Sequence, residues 1–380
     1  MQTQAHTQKA PVYFTSIRCK MNDSLLDKMA RLLDAAGLAK IDFLEKFVAI
    51  KIHFGEPGNL SYLRAGFARV LVDKIAALGG RPFLTDCNTL YVGRRNNALV
   101  HLDAAAENGF TWETAHCRNI IADGIKGTDD IEVPVPGGVF CKTARIGRAV
   151  MDADVFVSLT HFKGHEGTGM GGAIKNIGMG CGSRAGKMLM HNDGKPVVTA
   201  ACRGCGLCVR YCNERALTVG PDGKALIDTA RCVGCGRCVG VCNFHAIDNF
   251  SASSNEALSC KMAEYARAVT AGRPQFHVTV VNQVSPFCDC HGDNDAAIVP
   301  DIGIFASTDA VALDQACIDA VNAAPAIPDS IMTERGAFKK APAENDHFSL
   351  VHPTTDWRVQ LAHAERIGLG TRDYEVLQCG

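Results

Sequence analysis

Short apolar runs alternate with polar stretches along this chain in one recurring pattern. Each run is followed by a burst of glycine and polar residues, and then by a segment whose apolar residues recur at helical spacing. The clearest runs are 47–52, 81–85, 155–159, 277–281 and 302–306. Strands that alternate with helices in this way predict an α/β fold with a largely parallel sheet and flanking helices.

The helical segments carry recognisable start and stop signals. Residues 23–37 have apolar positions at helical spacing, with Asn22 or Asp23 as the expected N-cap and Gly37 as the residue after the helix. Further helices are predicted at 62–78, 96–108 and 357–368, and a helix that ends near Val321 begins with the Ser/Thr pair at 307–308 as its expected cap.

One cysteine motif occurs twice in the middle of the chain. Both copies read C-x2-C-x2-C-x3-C, the run found in bacterial ferredoxins. Because the strand and helix pattern resumes after the second copy, the unit interrupts the α/β fold. We therefore expect residues 1–196 and 251–380 to form two parts of one α/β domain, joined across a ferredoxin-like insert at 197–250.

The spacing of these cysteines predicts two [4Fe-4S] clusters. Three thiolates two residues apart can surround one cluster, while the fourth points towards the other cluster. This assigns Cys202, Cys205, Cys208 and Cys242 to one centre, and Cys232, Cys235, Cys238 and Cys212 to the second. Zinc sites with thiolate ligands normally combine two Cys-x2-4-Cys pairs that are separated by a longer stretch of sequence. A scaffold of disulfide bonds requires an exported protein. Zinc sites and disulfides are therefore less favoured than iron–sulfur clusters. Asn213 and Asn243 stand where bacterial ferredoxins usually have proline.

Composition narrows the class of protein. The chain has 380 residues, 47% apolar content and a formal net charge of −1, which predicts two or three soluble domains and argues against nucleic-acid binding. Residues 1–11 lack the apolar segment of a secretory signal, and no apolar run is long enough to span a membrane. We expect a cytoplasmic protein whose partner is a small-molecule substrate or a redox protein, and whose eighteen cysteines are metal ligands or free thiols.

Polar residues are concentrated directly after the predicted strands. Ligands of open α/β sheets bind at the carboxyl ends of the strands, so these loops are the candidate site. Candidates for handling protons are His53, His161, His165 and His191. Candidates for holding an anionic substrate or a phosphate-bearing cofactor such as a flavin are Asp86, Asn88, Lys163, Gly169, Gly171, Gly172, Lys175 and Asn176, where the glycines would let backbone N–H groups close on the anion. Each of these residues also has an ordinary structural explanation, such as a turn or a satisfied core histidine.

A fourth loop, after the strand at 277–281, has a different composition. It offers the ligand types of a mononuclear metal site, namely Cys288, Cys290, His291, Asp293 and Asp295. A Cys-x-Cys pair is crowded around one ion, so free thiols or a structural role are equally open. Asp309 and Asp314 are expected to cap and flank a helix.

Taken together, these motifs resemble those of the DUF362 family of iron–sulfur proteins. The resemblance rests on H-F-G-E-P-G-N at 53–59, D-C-N at 86–88, the glycine-rich stretch from His161, C-D-C at 288–290 and D-I-G-I-F-A-S-T-D from Asp301. It implies a fold similar to the N-terminal region of lactate racemase-like proteins and two clusters, but no reaction. Ala310 stands where family members often have proline.

Three functions remain open at this stage. The first is an oxidoreductase whose clusters exchange electrons with a small anionic substrate or a bound cofactor at the strand ends. The second is a ferredoxin-like electron-transfer subunit, for which the α/β part is a docking scaffold. The third is a protein with an additional metal ion in the 288–295 loop.

Overall fold

A computed structural model describes residues 9–379 except 92, 193–195, 213, 233–236, 243, 245, 249–254 and 340–345. In this part of the chain the strands are β1 (Ala10–Ser16), β2 (Phe47–Lys51), β3 (Arg81–Asp86), β4 (Arg118–Ile121), β5 (Asp130–Pro134), β6 (Thr143–Gly147), β7 (Val155–His161), β8 (Lys163–His165), β9 (Gly169–Gly171), β10 (Val197–Val198), β11 (Leu217–Val219), β12 (Ala225–Ile227), β13 (Ile247–Asp248), β14 (Gln275–Val281), β15 (Gly303–Ser307) and β16 (Tyr374–Gln378).

The helices are α1 (Leu25–Ala35), α2 (Ala65–Ala77), α3 (Ala98–Glu107), α4 (Trp112–Ala115), α5 (Arg148–Asp152), α6 (Ala173–Cys181), α7 (Arg184–Asn192), α8 (Leu207–Tyr211), α9 (Arg237–Val241), α10 (Asn255–Thr270), α11 (Ala310–Ala323), α12 (Ile331–Glu334), α13 (His347–Val351) and α14 (Trp357–Arg366). Two 3₁₀ turns lie at Leu38–Lys40 and Ala337–Lys339. Across the described residues, no helix is both long and apolar enough to cross a bilayer.

A central sheet of eight strands organises the molecule, in the order β16-β1-β15-β14-β7-β2-β3-β4. Every neighbouring pair is parallel except the two that involve β15. The prediction of an α/β fold with a mostly parallel sheet and flanking helices is confirmed. β7 lies in the interior of the sheet and all seven of its residues are buried, as expected for a parallel strand covered on both faces.

Side chains alternate between the two faces of the sheet along each strand. In β2, Val48 and Ile50 join the apolar core that includes α1 and α2, while Ala49 between them joins the core that includes α6, α10 and α11. β7 repeats this with Val155 and Val157 on the first face and Phe156 on the second. The apolar runs therefore bury both faces because alternate residues face opposite helical layers.

Two predicted helix caps, Asn22 or Asp23 for α1 and the Ser/Thr pair at 307–308 for α11, are wrong by one or two residues. The N-cap of α1 is Ser24, whose hydroxyl accepts the Asp27 N–H at 3.2 Å while the Asp27 carboxylate accepts the Ser24 N–H at 3.1 Å. This reciprocal pair satisfies N–H groups at the helix start better than Asn22 or Asp23 could. The N-cap of α11 is Asp309 and not the Ser/Thr pair, because its carboxylate accepts the N–H groups of Val311 and Ala312. The expectation that Asp309 caps a helix is thus confirmed.

The reversed direction of β15 changes which loops meet. Ser307, at the end of β15, pairs with His277 near the start of β14. The loop that carries Asp309 therefore lies at the edge opposite the carboxyl ends of β2, β3, β7 and β14. Four of the five polar loops identified from the sequence converge, and the fifth does not.

The cysteine-rich module (residues 197–250) has small elements of its own. β10 at its entry pairs with β13 at its exit, β11 and β12 form a hairpin, and α8 packs on α9. Its apolar cluster includes Cys208 and Cys238 and is joined by two residues of the α/β part, Leu90 and Met188. These two residues are among those through which the module packs against the sheet domain, and Lys126 of the sheet domain lies over the ring of Tyr211 in the module.

Candidate functional site

The carboxyl ends of the parallel strands surround a central cavity of about 500 Å³. The loops after β2, β3, β7 and β14 line it together with residues of α6, α7 and α10. Its cationic residues are Lys51, Arg95, Lys163, Lys175 and Lys187, against the two carboxylates of Asp86 and Glu166, and its imidazoles are His53, His165, His191 and His291. The wall that the structure describes is therefore cationic.

Lys51 anchors the floor of this cavity. Its ammonium lies 3.0 Å from Asp86 and donates to the Asn176 side-chain oxygen at 2.8 Å, and all three residues are buried. Burial opposes ionisation of Asp86, but the charges of Lys51, His101 and Arg95 outweigh it and lower the pKa of the carboxyl. The Asn176 amide bonds the Lys51 and Leu159 carbonyls, so it ties α6 to β2 and β7. Asp86 and Asn176 thus lie in the wall, with their polar atoms already engaged.

Arg95 links the first two loops. Its guanidinium donates to Glu56 at 2.9 Å, lies 3.6 Å from Asp86 and bonds the Tyr91 hydroxyl. Arg95 is 1% exposed, so it is one of the largest fully buried side chains of the protein. A buried guanidinium of this kind holds its acid partners rigidly, because breaking such a pair would leave an uncompensated charge.

His161 and Lys163 both bind one buried carboxylate, Asp289 of the C-D-C sequence. The Lys163 ammonium lies 3.0 Å from Asp289, and His161 Nδ1 lies 2.9 Å from it. His161 Nε2 is 2.8 Å from the Asn282 carbonyl. The carboxylate and the carbonyl, one at each ring nitrogen, fix the orientation of the imidazole. His161 is therefore a positioning residue for the loop after β14, whereas Lys163 also lines the cavity.

The two cysteines of that loop form a coupled pair. Lys175 donates to Cys288 Sγ at 2.7 Å, and the Cys290 backbone N–H donates to the same sulfur at 3.4 Å. A hydrogen bond from Cys288 lowers the pKa of Cys290 to about 7, with help from Lys175 and Arg95. Burial and the charge of Cys290 raise the pKa of Cys288. The pair therefore loses its first proton near neutral pH and keeps the second.

Three histidines of the cavity wall are neutral imidazoles. Burial, followed by the nearby cations, lowers the pKa of His53 and His165, and lowers that of His191 to about 4. His53 Nδ1 accepts the Gly55 N–H at 3.1 Å, and His165 Nδ1 accepts the Thr168 N–H at 3.1 Å. The proton of each of these two rings therefore sits on Nε2.

The glycine-rich stretch forms a hairpin and the start of a helix, which differs from the anion-binding loop that we expected. Gly169 and Gly171 form β9, which pairs with β8 as a hairpin, and Gly172 precedes α6. The N–H groups of Ala173 and Ile174 at the start of α6 bond the buried Asp314 carboxylate at 2.6 and 2.9 Å. A Cβ on Gly172 would come within 2.3 Å of that carboxylate, which explains the glycine. The anion at this helix start is thus an aspartate of α11, and these glycines are not in the cavity wall.

Asn88 also lies outside the cavity wall. Its side-chain amide donates to Asp123 and to the Gly124 carbonyl, both at 2.8 Å, so it holds the loop after β4. By contrast, Lys187 on α7 lines the cavity and donates to the Gly182 carbonyl at 2.5 Å.

A second, smaller cavity lies in the cysteine-rich module. Its wall contains Cys202, Cys205, Cys208 and Cys242, and does not include Cys212. Backbone N–H groups donate to three module sulfurs, from Ala225 to Cys202, from Ala216 to Cys212 and from Ala246 to Cys242, at 3.2–3.3 Å. The last two bonds occupy equivalent positions in the two copies of the repeat. Among the described cysteines none forms a disulfide, and Cys235 lies outside the described residues.

The described His, Cys, Asp and Glu side chains form no group of three or more that could hold a single metal ion. In the 288–295 loop, the half-exposed His291 pairs with Glu166 at 3.1 Å, and Asp295 accepts the Ala296 N–H. Asp293 is exposed.

Leu90 lies between the central cavity and the apolar cluster of the cysteine-rich module. It lines the central cavity and also belongs to the apolar cluster that contains Cys208 and Cys238. One apolar side chain of the loop after β3 thus belongs both to the wall of the central cavity and to the core of the module.

Sequence reasoning did not single out Lys51, Glu166 or Lys187 as wall residues. Lys51 had a signal, because a lysine inside the apolar run 47–52 needs a buried partner. Lys187 had no such signal in the sequence, because the helix that carries it gives no indication of which face points into the cavity.

Fold and site together define an α/β protein with a cationic cavity at its strand ends and a cysteine-rich module packed against the wall of that cavity. Residues 48–319 match the family described as domain of unknown function, DUF362. The match spans more than half of the chain, and the protein belongs to this family.

Two solved structures show a distant similarity. The lactate racemase apoprotein from Thermoanaerobacterium thermosaccharolyticum is 10% identical, with a TM-score of 0.33 over 70% of this chain and 46% of its own. A protein from Thermotoga maritima is 9% identical, with a TM-score of 0.39 over 78% of this chain and 58% of its own. This chain thus spans about half the length of these proteins, and neither similarity bears on activity. A search of curated proteins finds no match.

Proposed function

We propose that this protein is an iron–sulfur oxidoreductase. Cys202, Cys205, Cys208 and Cys242 would hold one [4Fe-4S] cluster, and Cys232, Cys235, Cys238 and Cys212 the other. Such clusters, when bound, accept and release single electrons. The observation that supports this most directly is the module cavity, because its wall contains the four cysteines that the ferredoxin pattern assigns to one cluster.

The surroundings of these sulfurs fit the proposal. Thiolate ligands of clusters are stabilised by N–H donors, and three module sulfurs accept such bonds. The four cysteines line one cavity wall, and the described His, Cys, Asp and Glu side chains form no group that could hold a single metal ion such as zinc. The positive φ of Gly204 and Gly206, +64° and +72°, lets the loop bend around the cavity.

The central cavity is the proposed substrate site. Its volume lies within the range of about 300–1,000 Å³ that is usual for small-molecule sites. Its cationic wall favours a small anionic substrate or a phosphate-bearing cofactor such as a flavin. Leu90 lines this cavity and packs in the same apolar cluster as Cys208 and Cys238, so the substrate site would lie beside the module that holds the clusters.

The chain's own residues would supply protons and orientation. His53 and His165 carry their protons on Nε2, and together with His191 they line the cavity. Each could hold a proton that accompanies electron transfer. Lys163, Lys175 and Lys187 would orient the anion, and His161 would hold the loop after β14 through Asp289. We expect a cytoplasmic protein, since this chemistry requires reduced thiols.

The proposal is tested with protein purified without oxygen. We expect about eight iron and eight sulfide per chain. Dithionite-reduced protein would then be mixed with small carboxylates, organic phosphates and flavin mononucleotide, and reoxidation followed by absorbance. At least one of these should reoxidise wild type faster than Lys187→Gln, while ferricyanide, which needs no cavity, should reoxidise both equally. Reoxidation by redox proteins alone would support the electron-transfer subunit instead, and absent iron would refute both.

A further inference from the structure

The Cys288–Cys290 pair has a feature that electron transfer and anion binding leave unexplained. One sulfur faces the central cavity and the other lies behind it. Cys290 lines the cavity, whereas Cys288 is 0% exposed and is not part of the wall. The Cys290 backbone N–H donates to Cys288 Sγ at 3.4 Å. A molecule in the cavity can therefore reach Cys290, while Cys288 can reach only its neighbour.

The loop that carries the pair is held rigidly. The His291 N–H donates to the Cys288 carbonyl at 3.1 Å and closes a reverse turn that contains both cysteines. Asp289 between them is anchored by His161 and Lys163, and its carbonyl accepts the Glu56 N–H at 3.0 Å. Disulfides join Cα atoms about 4.4–6.8 Å apart, and a reverse turn brings residues two apart to that separation. The turn thus brings the two Cα atoms to a separation that a disulfide can span.

The charges around the pair favour thiolate chemistry. Lys175 contacts Cys288 Sγ at 2.7 Å, and Arg95 and Lys163 lie in the same wall. Cations beside a partly accessible thiol are the usual setting of a reactive cysteine, whereas inert cysteines are buried in apolar surroundings. The same cations would attract a substrate with negative charge.

We propose that Cys288 and Cys290 form a redox-active dithiol that reduces a small anionic disulfide bound in the central cavity. Cys290 Sγ, as thiolate, bonds to one substrate sulfur, the substrate S–S bond breaks, and the leaving sulfur takes a proton from water. Cys288 then gives up its proton and its sulfur bonds to Cys290 Sγ, which releases the second substrate thiol. The balance is one disulfide and two protein thiols converted to two free thiols and one protein disulfide.

This inference rests on the proposed function only in using the same cavity as the substrate site, and it names the substrate class. The half-reaction does not need the clusters. Its failure with a full iron content would overturn the dithiol alone, whereas missing iron with intact exchange would overturn the iron–sulfur proposal alone.

The experiment uses oxygen-free holoprotein that carries Cys19→Ser, which removes an exposed thiol. The probe is 3,3′-dithiodipropionate, and cystamine is its cationic counterpart; each rate is divided by the rate with free N-acetylcysteine. We expect about two equivalents of released thiol per chain and a Cys288–Cys290 disulfide in peptide mass spectra. The anionic probe should be favoured at least about tenfold after this correction.

Two variants separate the roles of the sulfurs. Cys288→Ser should release about one equivalent and retain a mixed disulfide on Cys290, whereas Cys290→Ser should release none from this loop. Circular dichroism and iron content confirm that each variant folds. The proposal is overturned if wild type forms no Cys288–Cys290 disulfide, if the cationic probe is favoured, or if the purified pair holds Zn²⁺ that blocks exchange.

Discussion

Cys205 and Cys242 offer the sharpest test of how the two copies of the repeat are interleaved. They are far apart in the sequence, yet both line the cavity in the cysteine-rich module. Cys212 is much nearer to Cys205 in the sequence but is absent from that wall. Serine at Cys205 and serine at Cys242 should therefore damage the same cluster, and serine at Cys212 should damage the other.

The magnitude follows from the ligand sets. Each cluster holds four irons, so each single variant should lose about four of about eight irons per chain. Cys205→Ser combined with Cys242→Ser should lose no more than either change alone, because both remove ligands of one centre. Cys205→Ser combined with Cys212→Ser should lose about all eight.

Iron and acid-labile sulfide per chain, measured on oxygen-free protein, give the count, and EPR of the reduced protein shows whether one centre or two remain. Cys260→Ser is the matched control, since Cys260 is a buried cysteine of α10 outside the module. It should keep a full iron content. The interleaved arrangement would be refuted if the Cys205→Ser, Cys242→Ser double variant lost all eight irons, or if the Cys205→Ser, Cys212→Ser double variant lost only about four. Either result would mean that each copy of the repeat binds its own cluster.

Three further changes test other parts of the structure. Lys175→Met removes the cation beside the thiol pair, so the pKa of Cys290 should rise from about 7. Iodoacetamide labelling of Cys290 at pH 7 should slow by up to roughly 50-fold, the limit reached when the pKa returns to the ordinary 9.0 of a thiol. Burial raises the pKa of Asp314 to about 7, above its ordinary 3.8, so the folded protein favours the protonated carboxyl. The contribution of Asp314 to the free energy of unfolding is therefore complete below about pH 4 and declines as the pH rises to about 7. The stability gap between wild type and Asp314→Asn should narrow over that interval by up to roughly 4 kcal/mol, and a constant melting-temperature difference would contradict this. A Cβ at Gly178 in α6 would meet a backbone carbonyl of α10 at 2.0 Å, so Gly178→Ala should destabilise by at least about 2 kcal/mol in denaturant melts. At Gly66 in α2 a Cβ would make ordinary contact with Leu26 at 3.5 Å, so Gly66→Ala should stabilise by up to about 1 kcal/mol.

The positions of the buried strands could be predicted because parallel strands covered on both faces must be apolar throughout. Residues 155–159 contain four apolar residues around Ser158, and the structure extends this run into the fully buried β7. The loops after such strands could be predicted as the candidate site for the same reason, since the carboxyl ends of parallel strands share an edge. Four such loops do meet at the central cavity.

The direction of β15 could not be predicted in this way. Its sequence is as apolar as that of its neighbours, and nothing local distinguishes an antiparallel strand in the interior of a sheet. Direction depends on the connection, which here is a long loop from Asn282 to Ile302 without a crossover helix between β14 and β15. An antiparallel neighbour needs no such helix, so the absence of a helical pattern there was the available signal.

The role of the glycine-rich stretch was also beyond local reasoning. Small residues before a helix are compatible with an anion on the helix start, and the structure does place a carboxylate there. That carboxylate belongs to Asp314, more than a hundred residues later in the chain. Only the packing of α11 against α6 decides whether the anion is a ligand or a side chain.

The distribution of partners among the cavity cations decides what charge a substrate should carry. Lys51 is paired with Asp86, Lys163 with Asp289 and Arg95 with Glu56, while Lys175 contacts a cysteine pair that shares one negative charge near neutral pH. Lys187 instead donates to a backbone carbonyl. An anion that displaced one of the paired acids would leave that acid buried and uncompensated, at a cost of about 3–5 kcal/mol. A substrate with one negative charge near Lys187 avoids that cost. Lys187→Gln should therefore weaken substrate binding without destabilising the fold, whereas a change at Lys51 would affect both.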